Sequence, residues 1–212
     1  MKSKYYYFDN LIKRYPLLKA CEEDIVSSFL ILAKCYKNGG KLIVAGNGGS
    51  AADALHIVGE LMKAFVLPRK LSDKVCDALD KSSHNAEYLK QNLQMPLPAI
   101  ALVSEVGLTT AYSNDVVSDL IFAQQVLGYG KAGDVFLGIS TSGNSKNIIY
   151  AAEVAKAMGM IVVGLTGATG GQMKAACDIC IKVPAKATFK VQELHLPVYH
   201  ALCLEVEKSI FG

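Results

Sequence analysis

The 212-residue sequence lacks a long hydrophobic run and lacks an excess of charge of one sign. No apolar stretch approaches the roughly 20 residues of a membrane span, and the N-terminal MKSKYYYF has no apolar signal-peptide core. The 22 basic and 19 acidic residues are interspersed, giving a net charge of +3 and no basic stripe of the kind that binds nucleic acid. We therefore expect a cytoplasmic protein whose partners include neither membranes nor nucleic acid.

The six cysteines are scattered along the chain, at positions 21, 35, 76, 177, 180 and 203. Five of the six lie in apolar or amphipathic surroundings, as buried free thiols do. Cys177 and Cys180 form one C-x-x-C motif, which would fit a redox pair or half of a zinc knuckle. Because the sequence has no second C-x-x-C, we interpret this pair as part of an ordinary buried strand.

The nucleotide fingerprints G-x-x-x-x-G-K-[ST] and G-x-G-x-x-G are absent, but two other loops of glycine and small polar residues are present. Gly46–Ser50 follows the apolar run 41–45, and Ser140–Ser145 follows the apolar run 134–139. A helix that begins directly after such a loop presents free backbone N–H groups, which attract an anion, most often phosphate. The hydroxyl groups add further donors. Two such loops in one chain predict a phosphorylated ligand.

Short apolar runs alternate with helical patterns along most of the chain. Such runs, rich in Val, Ile and Leu, are typical of strands that are buried on both faces. The alternation predicts an α/β fold, a three-layer αβα sandwich around a five-stranded, parallel, doubly wound sheet. In that architecture ligands bind beyond the carboxyl ends of the strands, where both loops lie. The predicted strands are 41–45, 99–103, 134–139, 160–165 and 178–183. The predicted helices are about 49–65, 107–127 in one or two pieces, 145–158, 170–176 and 190–211.

Two helical segments lie outside this alternation. Residues 1–40 form an N-terminal segment whose apolar side chains recur at helical spacing, with a break expected at Pro16. Residues 66–98 form a charged, helix-prone insertion bracketed by prolines, which would serve as a lid or as an interface element. Because no low-complexity linker divides the chain, we predict a single domain over 1–212.

Histidine occurs on two predicted helices beside groups that suit metal binding or proton transfer. His56 and Glu60 are four residues apart and project from the same helix face, near the first loop. Such a pair can hold a divalent metal or transfer protons, although it is also common on protein surfaces. His200 lies in a strongly apolar helix, where a neutral imidazole needs a partner. The residues that helical spacing leaves open as its companion are Gln192, Glu193 and His195.

Four motifs, in this order along the chain, resemble those of the phosphoheptose isomerase family. The motifs are Gly46–Glu60, Ser113–Asp115, Gly138–Ser145 and Gln192–His200. The resemblance runs from about residue 20 to the C-terminus. It implies the SIS (sugar isomerase) phosphosugar-binding fold, and a homotetramer whose active sites are built from neighbouring subunits.

The resemblance also implies roles for particular residues. Glu60 and His200 match the acid/base pair of the family. The positions that match ligands of a divalent metal, usually zinc, are His56, Glu60, Gln192 and His200. The positions that match contacts to the sugar phosphate are Asn47, Gly48, Gly49, Ser50, Glu60, Asn114, Asp115, Ser140, Thr141, Ser142, Ser145 and Gln192.

The implied reaction converts sedoheptulose 7-phosphate to D-glycero-D-manno-heptose 7-phosphate through an enediol, for the synthesis of surface polysaccharide heptose. Glu60 would be the main base, with His200 moving a proton on the other side or on oxygen. Two alternatives stay open: an isomerase of a different phosphosugar, because the insertion would reshape the pocket, and a non-catalytic SIS regulator that binds a sugar phosphate. The presence of the metal and acid/base residues favours the enzyme, since a binding module does not need them.

Overall fold

The computed structural model describes residues 5–212 and contains a five-stranded sheet. The strands lie in the order β2-β1-β3-β4-β5, and all neighbouring strands are parallel. The predicted α/β fold with a parallel, doubly wound sheet is therefore confirmed. The strands are β1 (Leu42–Gly46), β2 (Ala99–Ala101), β3 (Val135–Ser140), β4 (Ile161–Thr166) and β5 (Ile179–Lys182).

Helices connect the strands and cover both faces of the sheet. Alternate side chains of a strand point to opposite faces. Leu42 and Val44 of β1 accordingly enter one hydrophobic cluster, whereas Ile43 and Ala45 enter a second one. The helices are α1 (Tyr6–Arg14), α2 (Glu22–Lys37), α3 (Gly49–Met62), α4 (Asp73–Ser82), α5 (Ala86–Asn92), α6 (Val106–Asp115), α7 (Ile121–Tyr129), α8 (Lys146–Ala157), α9 (Met173–Ala176) and α10 (Thr188–Phe211). The first cluster packs against α2, α3 and α10 and the second against α7 and α8, which gives the three layers.

The strand order reverses between β1 and β3. The chain passes from β1 to β2 at one edge of the sheet, and from β3 through β4 to β5 at the other. Gly46 at the end of β1 pairs with Ile139 near the end of β3, so the loops that follow these strands are neighbours. A reversal of this kind leaves a crevice at the carboxyl ends of the strands, where doubly wound proteins bind ligands.

Helices occupy much of the two additional segments within the described residues; residues 1–4 of the N-terminal segment lie outside them. A 3-10 turn at Pro16–Cys21 separates α1 from α2, which confirms the break at Pro16. The insertion forms α4 and α5, neither of which buries a side chain fully. Lys90 Nζ lies 2.8 Å from Asp80 Oδ1 and joins these two helices. Within residues 5–212, no helix combines the length and the apolar composition that crossing a membrane requires.

One helix begins later than predicted because of two glycines. The spacing predicts a helix from residue 170, but α9 begins at Met173. Gly170 and Gly171 have φ values of +73° and +52°, outside the right-handed helical region. These residues instead fold against the loop that follows β3.

Candidate active site

The loops after β1 and β3 are joined by a pair of side-chain amides. Asn47 Nδ2 donates to Asn147 Oδ1 at 2.9 Å, and Asn147 Nδ2 donates to Asn47 Oδ1 at 3.0 Å. Asn147 lies in the first turn of α8, so this reciprocal pair holds the two helix N-termini at a fixed separation. Sequence reasoning missed Asn147, and its position two residues after the Ser140–Ser145 loop was the signal for it.

The Ser140–Ser145 loop carries several hydroxyl groups and packs closely against Gly170. Ser140 Oγ and Ser145 Oγ are 2.9 Å apart, and Ser142 Oγ accepts a hydrogen bond from the backbone N–H of Asn144 at 3.1 Å. Gly143 has a φ of +68°, and a Cβ there would lie 2.1 Å from the carbonyl oxygen of Gly170, so only glycine fits. The loop ends at the N-terminus of α8, whose first N–H groups have no intrahelical acceptor. The Ser140–Ser145 loop and the N-terminus of α8 therefore form a candidate anion-binding site, which we call the anion cradle.

Helices α3 and α10 lie side by side and in parallel across the other half of the site. A Cβ on Gly49 would lie 2.5 Å from Gln192 Nε2, so the Gln192 amide lies directly on the first turn of α3. About two turns farther along both helices, the His56 and His200 rings are 4.9 Å apart and nearly perpendicular. Gln192 is therefore the candidate companion that faces α3. Glu193 is exposed.

His195, the third candidate companion, lies in the hydrophobic core and not in the site. Its side chain is fully buried, and neither ring nitrogen makes a hydrogen bond of good geometry with a described residue, although the Thr166 backbone lies close enough to act on its pKa. Burial lowers the pKa of His195 to about 4, so the ring is neutral at physiological pH. The structure thus separates the two histidines of the last helix into a core residue and a site residue.

His56, Glu60 and His200 form the polar centre of the site. His56 Nε2 lies 3.3 Å from Glu60 Oε1 and 3.5 Å from His200 Nε2. Lys63 Nζ lies 2.9 Å from Glu60 Oε2. Burial would raise the pKa of Glu60, but the hydrogen bond and charge of Lys63, together with His56, outweigh it and hold the pKa below its ordinary value. Glu60 is therefore an ionised carboxylate at neutral pH and is able to accept a proton.

His200 is kept neutral by its surroundings. Burial, and then the proximity of His56, lower the pKa of His200, whereas the charge of Glu60 acts in the opposite direction. A cavity of about 130 Å³ lies beside His200, between α1 and α10, and Tyr7, Asn10 and Arg14 of α1 also line it. A neutral imidazole has one nitrogen that can accept a proton and one that can donate a proton.

Behind this centre lie two residues that the sequence analysis did not single out. The hydroxyl of Tyr199 is 3.0 Å from His56 Nδ1 and 3.3 Å from Asp53 Oδ1. Asp53 lies three residues before His56 on α3, so helical spacing was a signal for it, but Tyr199 has no counterpart at such a spacing. No three His, Cys, Asp or Glu side chains of residues 5–212 converge in a metal-binding cluster.

The end of α3, which carries Glu60, is anchored by an ion pair that is fully buried. Arg69 Nε donates to Glu207 Oε1 at 2.8 Å, and the guanidinium also bonds to the carbonyl oxygens of Glu60 and Leu61. Glu207 accepts three backbone N–H groups as well, those of residues 65, 66 and 67. The helix predicted to reach residue 65 therefore ends at Met62, because these contacts replace its last turn.

Not every predicted site residue joins this centre. Ser50 is buried at the start of α3, and Thr141 lies in the loop after β3, where its carbonyl accepts from Gly167 N at 3.0 Å. Asn114 and Asp115 are exposed at the end of α6, where Asn114 Nδ2 donates to Asp115 Oδ1 at 2.9 Å. In the part of the chain that the structure describes, these two side chains form no hydrogen bond with another predicted site residue.

Comparison with known proteins gives consistent similarities in sequence and structure. A family model described as SIS domain matches residues 89–167. The chain is 44% identical over 176 residues to a phosphoheptose isomerase of Aneurinibacillus thermoaerophilus, covering 83% of this chain and 76% of that protein. It is 39% identical over 213 residues to phosphoheptose isomerase 2 of Campylobacter jejuni, covering 99% and 92%.

Two solved structures resemble the fold over nearly its whole length. The phosphoheptose isomerase of Neisseria gonorrhoeae superposes with a TM-score of 0.74 at 33% identity, and the similarity covers 95% of each chain. A phosphoheptose isomerase from Francisella tularensis superposes with a TM-score of 0.75 at 32% identity, again over 95% of each chain.

Proposed function

Because the chain belongs to the phosphoheptose isomerase family, we propose that it is an aldose–ketose isomerase that converts sedoheptulose 7-phosphate to D-glycero-D-manno-heptose 7-phosphate. The observation that carries this proposal is the position of the ionised Glu60 and the neutral His200 on either side of His56. The helix that carries Glu60 and His56 begins after the carboxyl end of β1, next to the loop that forms the hydroxyl-lined anion cradle. An isomerase needs one group to take a proton, another to move one, and an anchor for the phosphate.

The proposed reaction moves one proton between neighbouring carbons. Glu60 removes the proton from the carbon beside the carbonyl, which gives an enediol, and a proton then returns to the adjacent carbon. His200 moves a proton on the oxygen atoms. The Ser140–Ser145 loop and Asn47–Ser50 hold the phosphate and the sugar, so that the reacting carbons stay in register with Glu60.

We propose zinc, or another divalent metal, as the cofactor, held by His56, Glu60, Gln192 and His200. Two imidazole nitrogens and a carboxylate oxygen are the donors that catalytic zinc prefers. Bonds of about 2.0–2.1 Å in a tetrahedral site separate neighbouring donors by about 3.3 Å. The separations of 3.3 Å between His56 Nε2 and Glu60 Oε1, and of 3.5 Å between His56 Nε2 and His200 Nε2, are of that size for each pair. The three side chains do not yet converge on one point in the described residues, so metal binding would draw them together. When bound, such a metal polarises a carbonyl and stabilises the negative charge of an enediolate.

We further propose a cytoplasmic homotetramer whose active sites are shared between subunits. Large apolar side chains are exposed beside the polar centre, notably Leu55 (50%) and Met62 (45%) of α3 and Leu196 (42%) of α10. A neighbouring subunit that covered them would also complete the site. Sharing would give Asn114 and Asp115 a role, because they lie outside the hydrogen-bonded centre of their own chain.

A substrate panel tests the function and the metal together. Metal-free protein and protein reconstituted with zinc are assayed against pentose, hexose and heptose phosphates. We expect turnover with sedoheptulose 7-phosphate, loss of most of it on chelation, and recovery with zinc. Activity confined to another phosphosugar would overturn the substrate. Full activity in protein shown by elemental analysis to contain no divalent metal would overturn the cofactor.

A Ser142→Ala, Ser145→Ala double variant tests the phosphate cradle. Each lost hydroxyl is expected to weaken binding by about 0.5–1.5 kcal/mol, because the backbone N–H groups and the helix dipole remain. The loss should raise KM and leave kcat nearly unchanged, since the phosphate does not react. Ser82→Ala on α4 is the control. Inhibition by inorganic phosphate should weaken in parallel; unchanged KM and inhibition would place the phosphate at Asn47–Ser50 instead.

A further inference from the structure

The hydroxyl of Tyr199, on α10, contacts two polar side chains of α3. The residue is 1% exposed, and its ring packs within the hydrophobic core. Its oxygen lies 3.0 Å from His56 Nδ1 and 3.3 Å from Asp53 Oδ1. Asp53 and His56 both belong to α3, so a single hydroxyl from α10 contacts two polar groups one turn apart.

A tyrosine hydroxyl carries one proton, so it can donate to only one of these two partners. At neutral pH the hydroxyl carries its proton, because the ordinary pKa of tyrosine is about 10. Burial raises the pKa of Asp53, whereas the hydrogen bond from Tyr199 and the charge of His56 oppose that rise. As a carboxylate, Asp53 can only accept, and its Oδ1 lies within reach of the hydroxyl. If the hydroxyl donated to His56, its lone pairs would face Asp53 with no proton between the two oxygens. Donation to Asp53 removes that repulsion and leaves the phenolic oxygen free to accept a proton from His56 Nδ1–H.

We propose that Tyr199, oriented by Asp53, is a positioning residue that holds His56 in the tautomer with the proton on Nδ1 and the lone pair on Nε2. Nε2 then carries a lone pair 3.3 Å from Glu60 Oε1 and 3.5 Å from His200 Nε2. In this tautomer His56 gives up the hydrogen bond that a protonated Nε2 would donate to Glu60 in the metal-free protein. A ring nitrogen that binds a metal must be unprotonated, and ligand histidines are commonly fixed by a hydrogen bond from the other ring nitrogen. The proposal deepens the proposed function, since its metal-binding consequence rests on the site assigned there.

The arrangement is more than a means of satisfying a buried hydroxyl. Tyr36 also buries its hydroxyl, and that group has no partner among the residues described. Burial of a tyrosine in this core therefore does not require a polar partner, whereas Tyr199 has two. Tyr36→Phe is accordingly a matched control for Tyr199→Phe, because both changes remove one buried hydroxyl and keep the aromatic ring.

The first test reads the tautomer directly in metal-free protein. Long-range proton–nitrogen NMR spectra are recorded at about pH 8, above the ordinary histidine pKa of about 6.5. The His56 signal is assigned by its loss in His56→Gln. We expect the proton on Nδ1 in the wild type and in Tyr36→Phe, and a shift toward the Nε2–H form in Tyr199→Phe, where Nε2 can donate to Glu60. A wild-type His56 protonated on Nε2 would overturn the proposal.

The second test measures zinc affinity by competition with a chelator. Loss of a hydrogen bond that orients a ligand histidine typically weakens metal binding about 10–100-fold. We expect a loss of that size in Tyr199→Phe and none in Tyr36→Phe. Because Asp53 acts through Tyr199, Asp53→Asn should weaken binding in the wild type and add little in Tyr199→Phe. Equal losses in the two Tyr→Phe variants, or additive losses in the double variant, would contradict the proposal. If the wild type binds no zinc, the metal assignment fails, and the NMR tautomer alone decides for or against the role of Tyr199.

Discussion

Replacing Glu60 by glutamine is expected to lower kcat by about 10²–10⁴-fold while the protein still folds and binds the sugar phosphate. Glutamine keeps the size and the carbonyl oxygen of glutamate but cannot accept a proton from carbon. The contacts that shape the end of α3 use the backbone carbonyl of residue 60, which the substitution leaves unchanged. Steady-state kinetics with sedoheptulose 7-phosphate, together with the thermal midpoint of each protein, measure the effect.

Two comparisons make this result specific. Glu193→Gln removes an exposed carboxylate from α10, next to Gln192, and should leave kcat unchanged. Zinc content is measured in parallel, because Glu60 is also a proposed ligand, and a loss of turnover at full zinc occupancy isolates the role of the base. If Glu60→Gln keeps more than about a tenth of the wild-type kcat, another group removes the proton.

The strands could be predicted from the sequence because each is a local signal. A short apolar run between loops of glycine and small polar residues is sufficient to identify a buried parallel strand. The end of α3 could not be predicted in this way. It is determined by Arg69 and Glu207, which are 138 residues apart in sequence, and by the backbone groups that they bind.

In the candidate site, too, some residues could be predicted from local spacing and others could not. His56 and Glu60 are one turn apart on a single helix, so their spacing alone indicated a pair. The companion of His200 was ambiguous because ideal helical geometry places Glu193 on its face. In the structure Gln192 contacts Gly49 instead. Pro197 lies between these positions within α10 and has no N–H for the carbonyl of Glu193, so ideal spacing is a weak guide there.

Tyr199 illustrates a contact that no spacing rule gives. It reaches His56 across 143 residues of sequence, and apart from His195 and His200 its neighbours on α10 are apolar. A tyrosine among apolar residues is ordinarily a core residue, and its ring is one here. Only the packing of α10 on α3 places its hydroxyl against an imidazole and a carboxylate.

The second large effect is on stability and concerns Glu207→Gln. Removal of one partner from a buried ion pair leaves an uncompensated charge and typically costs about 3–5 kcal/mol. Both side chains of the Arg69–Glu207 pair are fully buried, and Glu207 also accepts three backbone N–H groups from the segment after α3. Urea unfolding should therefore show a loss of that size. Glu87→Gln, whose side chain is 75% exposed and paired with Lys90 at 3.5 Å, should cost less than about 1 kcal/mol.

Two measurements distinguish loss of the ion pair from a general packing defect. They are the stability difference at acid pH and the stability of a double variant. Burial would raise the pKa of Glu207, but the N–H groups of residues 65, 66 and 67 and the Arg69 guanidinium outweigh it and lower the pKa. A lowered folded-state pKa stabilises the protein above the unfolded value of about 4.3, and this contribution is lost as the pH falls through the folded value. The stability difference between the wild type and Glu207→Gln should therefore shrink below about pH 4.

Adding Arg69→Met removes the unpaired charge, so the double variant should be more stable than the sum of the single losses predicts. A pH-independent difference, or strictly additive losses, would mean that shape and not charge anchors the end of α3.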